Sequence, residues 1–265
     1  MTHPPAPVSA SASASAPPAS PSSPSSSPSP VLPANTSLYA RQLLSNPPAS
    51  HSAAIESAIS KLQLLAHIEG GYFAETDRDA LLVPNPFQHL PALANPTATD
   101  DSPTRHASTT IFYLLAPRSP VGYFHRNRGR TVHTLHRGRG VYVLLHMDRR
   151  DARTGKVPVE TFVVGHDLDK GEKLQWIVEG GKFKASFLIP DSDSDTNTPA
   201  TDTDVDGQPG SAAGLLISET VVPGFEYADH DFLTAETMRD ALDPAQLHEL
   251  KWLLKRDEQK RLDAL

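Results

Sequence analysis

The sequence predicts an all-β sandwich or barrel with short helices at both ends. Apolar segments of strand length recur between residues 72 and 222, and turns rich in glycine or proline separate them. Apolar residues at helical spacing occur before and after this region. The chain has 265 residues, enough to bury one core of ordinary or large size without help from disulfides.

Composition excludes several classes of function. The chain contains no cysteine, which rules out disulfides, thiolate metal sites and cysteine nucleophiles and fits a reducing compartment. Its formal net charge of -7 argues against a nucleic-acid-binding surface. No apolar segment approaches the roughly 20 residues that span a bilayer. We therefore expect a cytoplasmic protein that could also enter the nucleus, without nucleic-acid or membrane partners.

The first part of the chain divides into a tail and two helices. Residues 1–36 are almost entirely serine, alanine and proline without lysine or arginine, which predicts a disordered tail and no targeting peptide. Order is expected from Ser37, with a short helix that ends before Pro47. Apolar residues at helical spacing then predict a second helix over Ser50–Leu65.

The middle of the chain reads as consecutive strands. A turn at Gly70 and Gly71 precedes a strand over 72–76, and the proline-rich residues 78–107 are expected to form a long surface loop. Further strands are predicted at 109–115, 121–125, 131–136, 140–146, 158–164, 173–178, 182–189 and 214–222.

An acidic insertion and a helical end complete the predicted domain. Residues 190–213 alternate aspartate with small polar residues, which predicts a disordered insertion. Asp202 to Gly207 imitates the start of a calcium loop, but Ala213 stands where the bidentate glutamate belongs. The domain is expected over residues 37–235 and helices over 236–265, with Asp243 as an N-cap.

Several collinear blocks resemble the cupin type 5 family, a small uncharacterised cupin family, and are most similar to its fungal branch. The blocks are FHRNRGRTVHTLHRGRGVYVLLH, QWIVEGGKFKASFLI and LISETVVPGFEYADHDFL, with EGGYFAET and STTIFYLL ahead of them. The resemblance covers about residues 60–235. It implies a cupin-type double-stranded β-helix, a jelly-roll barrel, with short flanking α-helices and usually a homodimer.

The resemblance does not bring the usual metal ligands with it. With Gly138 at the motif glycine, the ligand positions of metal-binding cupins hold His125, Asn127, Thr131 and, in the second motif, Lys184. Only the histidine is a usual ligand, and an ammonium group repels a metal. We therefore expect no metal cofactor. A metal-dependent oxygenase or isomerase built on His125 and His133 remains the alternative.

The same residues suggest acid–base chemistry like that of cupin-fold epimerases. His125 or His133 would act as the base, Tyr142, Tyr113 or Tyr72 as the acid, and Lys184 would stabilise an enolate or hold an anionic group. Strand alternation places His133 and His136 on opposite faces. For Lys184, strand alternation allows the side chain to point into the barrel or toward solvent, and the two directions are equally compatible with the sequence. The predicted ligand-binding residues are Tyr72, Glu69, Gln175, Lys184 and Glu219.

These observations predict a cupin that binds a small molecule. The favoured function is a metal-independent isomerase or epimerase acting on a sugar-like or carbonyl-bearing metabolite. The alternatives are the metal-dependent enzyme and a non-catalytic binding or storage protein. The basic segment from Arg126 to Arg130 could attract a phosphate or nucleotide-sugar, or it could be an exposed turn.

Overall fold

The computed structural model describes residues 31–33, 35–94, 97–99, 101–191 and 213–265. Most of the predicted tail, most of the predicted acidic insertion and the calcium-loop imitation therefore lie outside the described residues. The elements below belong to the described part of the chain.

Thirteen strands and five α-helices are assigned in the described residues. The strands are β1 (Leu65–Ala66), β2 (Tyr72–Arg78), β3 (Leu82–Pro84), β4 (Thr104–His106), β5 (Thr109–Leu115), β6 (Val121–Asn127), β7 (Arg130–Arg137), β8 (Gly140–Leu145), β9 (Val159–Val164), β10 (Gln175–Val178), β11 (Phe183–Leu188), β12 (Leu215–Val222) and β13 (His230–Phe232). The helices are α1 (Leu38–Ser45), α2 (Ala53–Lys61), α3 (Ala235–Ala241), α4 (Pro244–Leu250) and α5 (Arg256–Ala264).

The strands form two main antiparallel sheets that enclose a common interior. The six-stranded sheet has the order β1-β2-β5-β12-β7-β10, and the five-stranded sheet has the order β13-β6-β11-β8-β9. Inward side chains of both sheets, among them Tyr113, Tyr142 and Ile217, belong to one buried cluster. This arrangement confirms the predicted jelly roll.

Strand β11 is buried on both of its faces. Phe183, Ala185 and Phe187 pack outward against the C-terminal helices, in a cluster that includes Met238 and Trp252. The alternate residues of the strand therefore point into the barrel. The alternation of residues along β11 did not predict whether the Lys184 side chain points into the barrel or toward solvent. In the structure it points into the barrel.

The helices cover the outer faces of the sheets. α3, α4 and α5 lie on the five-stranded sheet, and α2 packs Ile55 and Ala58 on Leu114 and Leu216 of the six-stranded sheet. Asp243 caps α4 through a complete capping box with Gln246, as predicted. No helix in the described residues is long and apolar enough to cross a bilayer.

One prediction about local structure was wrong, and the prediction that residues 78–107 are mostly loop was incomplete. The second helix is shorter than Ser50–Leu65, because Ser52 caps its start and Gln63, after its end, adopts a φ of 54°. Leu65 then belongs to β1. The predicted long loop over 78–107 contains β3 and β4, which pair as a separate two-stranded sheet.

The predicted disordered tail also extends too far. Leu32 is buried in the core beside the C-terminal helices. The backbone N–H groups of Val31 and Leu32 donate to the carboxylate of Glu249 over 3.0 and 2.7 Å, and Thr161 Oγ1 donates to the Val31 carbonyl. Residues 31–33 are therefore part of the domain. The homodimer and the cytoplasmic location stay predictions.

Candidate functional site

The barrel interior holds two neighbouring groups of buried polar side chains. We call His133, Lys184 and Glu219 the lysine cluster, and His67, Glu69, His125 and His230 the Glu69 cluster. Lys184 of β11 is the register partner of His125 of β6, so the two clusters adjoin. The sheets thus bring together residues that are more than 100 positions apart in the sequence, such as Glu69 and Glu219.

The lysine cluster is a closed triangle of contacts. Lys184 Nζ donates to Glu219 Oε2 over 2.6 Å and to His133 Nε2 over 2.9 Å, and His133 Nε2 lies 3.2 Å from Glu219 Oε2. Since His133 Nε2 accepts from the ammonium, the neutral ring carries its proton on Nδ1. All three side chains are buried.

The charges of the lysine cluster follow from these contacts. Burial raises the pKa of Glu219, but Lys184 and His133 outweigh it and hold that pKa well below its ordinary value. Burial, reinforced by the Lys184 charge, lowers the pKa of His133. Near neutral pH the cluster is therefore an ammonium–carboxylate pair beside a neutral imidazole.

Glu69 stands at the centre of the second cluster. Its Oε1 lies 2.8 Å from His230 Nε2, and its Oε2 lies 3.2 Å from His125 Nε2 and 3.4 Å from His67 Nδ1. Burial raises the pKa of Glu69, but the histidines around it hold that pKa well below its ordinary value. Glu69 is therefore ionised near neutral pH.

His125 is held in one tautomer. Its Nδ1 lies 2.8 Å from the carbonyl oxygen of Tyr123, and because a carbonyl can only accept, Nδ1 carries the proton. Burial lowers the pKa of His125 to about 4, although the Glu69 carboxylate opposes this shift. At neutral pH the Nε2 atom therefore presents a lone pair.

Aromatic side chains form one wall of the interior. Trp176 stacks on His133 at a ring separation of 5.1 Å and meets Tyr142 edge-on at 4.7 Å. Tyr113 donates to the carbonyl oxygen of Gly70 over 2.9 Å. Burial and nearby carboxylates raise the pKa of both tyrosines well above the ordinary value, so their hydroxyls stay protonated.

Six of the predicted site residues lie in the interior. They are Glu69, His125, His133, Tyr142, Lys184 and Glu219. His136 lies on the opposite face of β7 from His133, as the alternation predicted. The chemical roles assigned to these residues stay predictions.

Two predicted ligand-binding residues face away from the interior. Tyr72 lies on the outer face of its sheet, where its hydroxyl is 2.9 Å from His51 Nε2 and its ring packs with the α2 cluster. Gln175 is exposed, because it alternates with Trp176 along β10 and the tryptophan takes the inward position. Placing either residue in the pocket was wrong.

The sequence-based prediction missed His67, His230 and Trp176. His67 carried a usable signal, because it lies two residues before Glu69. His230 had no comparable signal, because only the pairing of β13 with β6 brings it to Glu69.

The arginine-rich turn is occupied by carboxylates. Arg126 Nε lies 2.7 Å from Asp231, Arg128 3.3 Å from Asp229, and Arg130 3.0 Å from Glu179. Ion pairs thus engage each arginine of the segment. This arrangement favours the exposed-turn interpretation over a phosphate site.

Two surface cavities lie apart from both clusters. One, of about 520 Å³, is bordered by Arg139 and Glu172, and the other, of about 320 Å³, is bordered by Arg105 and Glu226. Neither is lined by a residue of the lysine cluster or the Glu69 cluster. The residues of both clusters are buried except His67, whose side chain is 12% exposed.

The donor set does not fit the metal of metal-binding cupins. Lys184 occupies one ligand position with its Nζ bonded to Glu219 and His133. Two further positions hold Asn127 and Thr131. Across the described residues, no group of three or more His, Asp and Glu side chains is arranged to hold a metal ion. The alternative site built on His125 and His133 is disfavoured too, because His133 Nε2 faces the Lys184 ammonium and His125 Nδ1 faces the Tyr123 carbonyl.

Comparisons with known proteins agree with the fold and the sequence blocks. Residues 56–233 match the family described as Cupin superfamily (DUF985). An uncharacterised protein of Saccharomyces cerevisiae is 37% identical over 221 residues, which are 83% of this chain and 96% of that protein.

Solved structures include similar folds of distant sequence. A hypothetical protein from Leishmania major is 29% identical with a TM-score of 0.50, covering 71% of this chain and 90% of that one. A mutant of Bacillus subtilis oxalate decarboxylase is 12% identical with a TM-score of 0.34, covering 77% and 38%. Its activity is not transferred at that distance. The family match and the yeast relative together show that this chain belongs to the DUF985 family of the cupin superfamily.

Proposed function

We propose that the protein is a metal-independent isomerase or epimerase. It would remove a proton from the carbon next to a carbonyl group and then return a proton to the substrate. Its substrate would be a small sugar-like or carbonyl-bearing metabolite bound in the barrel. The observation that supports this proposal is the cross-strand pairing of His125 with Lys184. A neutral imidazole and an ammonium group side by side are the two groups that enolate chemistry requires.

His125 is suited to the role of base. Its proton sits on Nδ1 toward Tyr123, so Nε2, which also faces Glu69 Oε2 at 3.2 Å, is the atom that would accept the substrate proton. The low pKa of His125 keeps that atom unprotonated at neutral pH. Removal of the proton breaks the C–H bond, and its electron pair becomes the carbon–carbon double bond of an enolate.

Lys184 is suited to stabilising that enolate. An ammonium group has three donors, of which two bind Glu219 and His133. The third donor would bind the oxygen on which negative charge develops. Because the surroundings are buried and fixed by hydrogen bonds, this stabilisation requires little reorganisation.

Tyr142 and Tyr113 are candidate acids. Both hydroxyls stay protonated because their pKa values are raised. A tyrosine on the far side of the enolate would return a proton to the opposite face of the carbon, which inverts the configuration. Delivery to a neighbouring carbon would instead give an isomer.

The test uses the full chain in heavy water with keto sugars and keto sugar nucleotides as probes. We expect deuterium to replace the proton on the carbon next to the carbonyl. Proton NMR measures this exchange as the loss of that proton's signal. His125→Asn and Lys184→Met should each slow the exchange by about 100-fold or more. Gln175→Ala, an exposed change in the same barrel, should leave it unaltered.

Other outcomes would overturn the proposal. Probes that raise the melting temperature without exchanging deuterium would indicate the non-catalytic binding protein. Exchange that survives His125→Asn at the wild-type rate would remove that residue from the site. A panel that neither binds nor exchanges would exclude this substrate class.

A further inference from the structure

We infer that Glu69 takes up the proton that His125 removes and passes it to solvent through His67. The inference rests on the proposed function and deepens it, because it assigns the proton a route out of the barrel. Its basis is the contact geometry of the Glu69 carboxylate with three imidazole rings from three parts of the chain.

The turn that carries Glu69 is fixed across the opening of the barrel. Tyr123 N–H donates to the Glu69 carbonyl over 2.7 Å, and Gly71 N–H donates to Ser119 Oγ over 2.7 Å. Gly70 has a φ of 97°, and a Cβ there would lie 2.0 Å from the Val121 carbonyl oxygen. Glycine at this position therefore lets the turn approach β6 and direct Glu69 inward.

The contact between His125 and Glu69 has room for one proton. His125 Nε2 and Glu69 Oε2 lie 3.2 Å apart, and both are acceptors when the ring is neutral and the carboxylate ionised. Two facing acceptors repel each other until a proton lies between them. A proton taken from the substrate changes this contact into an imidazolium–carboxylate ion pair.

The second contact of Oε2 leads outward. His67 Nδ1 is 3.4 Å away and has no hydrogen bond of good geometry within the described residues. The His67 side chain, 12% exposed, lies against Phe73 at a ring separation of 4.3 Å. A proton on the carboxylate can therefore move to His67, which reaches water.

His230 acts as a positioning residue in this route. Its Nε2 lies 2.8 Å from Oε1, which fixes the carboxylate so that Oε2 faces both other rings. Further groups act on the cluster electrostatically from other strands; they are Tyr113 of β5, Lys184 of β11 and Glu219 of β12.

The first test needs no substrate and uses the full chain labelled with nitrogen-15 on its histidine rings. In the wild type, protonation of His125 at about pH 4 should also perturb the His67 ring signals, because both rings contact Glu69 Oε2. Glu69→Gln removes the carboxylate that stabilises the His125 imidazolium. The pKa of His125 should therefore fall further, and the imidazolium signal should be absent at the pH where the wild type shows it. The matched control is Glu160→Gln, which removes an exposed carboxylate 3.0 Å from His146. Unaltered His125 and His67 signals in Glu69→Gln would overturn the inference.

The second test compares exchange by the same variants. Glu69→Gln should exchange deuterium about tenfold more slowly than the wild type, because the proton stays on His125 and the base is not restored for the next turnover. Incorporation equal to that of the wild type would overturn the relay. If the His125 and His67 signals respond together but no probe exchanges deuterium, the proposed function is wrong. The failure of the relay and the failure of the proposed function are therefore distinguishable.

Discussion

Replacing Lys184 with methionine tests whether the lysine cluster is a buried charge pair. Methionine preserves most of the side-chain volume and removes the ammonium, so Glu219 is left with His133 alone. We expect a large loss of stability. The loss should arise from the orphaned carboxylate, because little packing is removed.

The expected magnitude follows from the contact distance. At 2.6 Å and an effective dielectric constant of about 20, the attraction between Lys184 and Glu219 is roughly 6 kcal/mol. Desolvation of both ions offsets part of this, and breaking a buried pair from one side costs about 3–5 kcal/mol. The double variant Lys184→Met with Glu219→Gln should recover most of that loss, because no buried charge then remains in the lysine cluster.

The pH dependence of stability should also change sign. In the wild type the depressed pKa of Glu219 contributes to the free energy of unfolding. This contribution is fully present above about pH 4.5, the ordinary carboxyl value, and is lost as the pH falls below it toward the folded pKa. In Lys184→Met the folded Glu219–His133 pair should take up a proton. Stability should then fall as pH rises, with a slope of up to about 1.4 kcal/mol per pH unit.

Urea unfolding between about pH 3 and pH 8 measures both effects. Lys251→Met is the control, because Lys251 pairs with Asp263 and both side chains are exposed, at 41% and 61%. That change should cost no more than about 1 kcal/mol. Equal losses in the two single variants, or no recovery in the double variant, would refute the reasoning.

Two further predictions concern the opening of the barrel and the N-terminal segment. Acid titration of the folded chain should show stability falling below about pH 4.5, the ordinary carboxyl value, because Glu69 has a depressed pKa in the fold; in Glu69→Gln that fall should be smaller. Leu32→Ala should lower the free energy of unfolding by about 2–3 kcal/mol by leaving a cavity, measured by urea unfolding, whereas Leu65→Ala, at an exposed leucine, should have little effect.

The sequence predicted the barrel well because period-two patterns and turn residues are local signals. Eight strands after the first were placed within two residues of their observed ends. The elements it missed depend on distant partners. β3 and β4 each have only three residues, and they become strands by pairing with each other. Leu32 is ordered by Glu249, more than 200 positions away.

The site was harder to predict because the direction of a side chain depends on what covers the sheet. Lys184 sits in a strand with two buried faces, and alternation alone cannot say which face is the interior. Gln175 and Trp176 show the reverse case, in which the polar residue is outside. His230 reaches the interior only through pairing with β6, which no local pattern reveals.

The two faces of β11 argue that the interior polar groups serve a function. Toward the helices the strand buries Phe183, Ala185 and Phe187, which stabilise the core in the ordinary way. Toward the barrel it buries Lys184, and an apolar side chain of similar volume there, with its partners replaced to match, would often be as stable or more so. Because buried ionised groups add so little net stability, the two clusters in one interior support the proposal that the barrel binds or converts a small molecule.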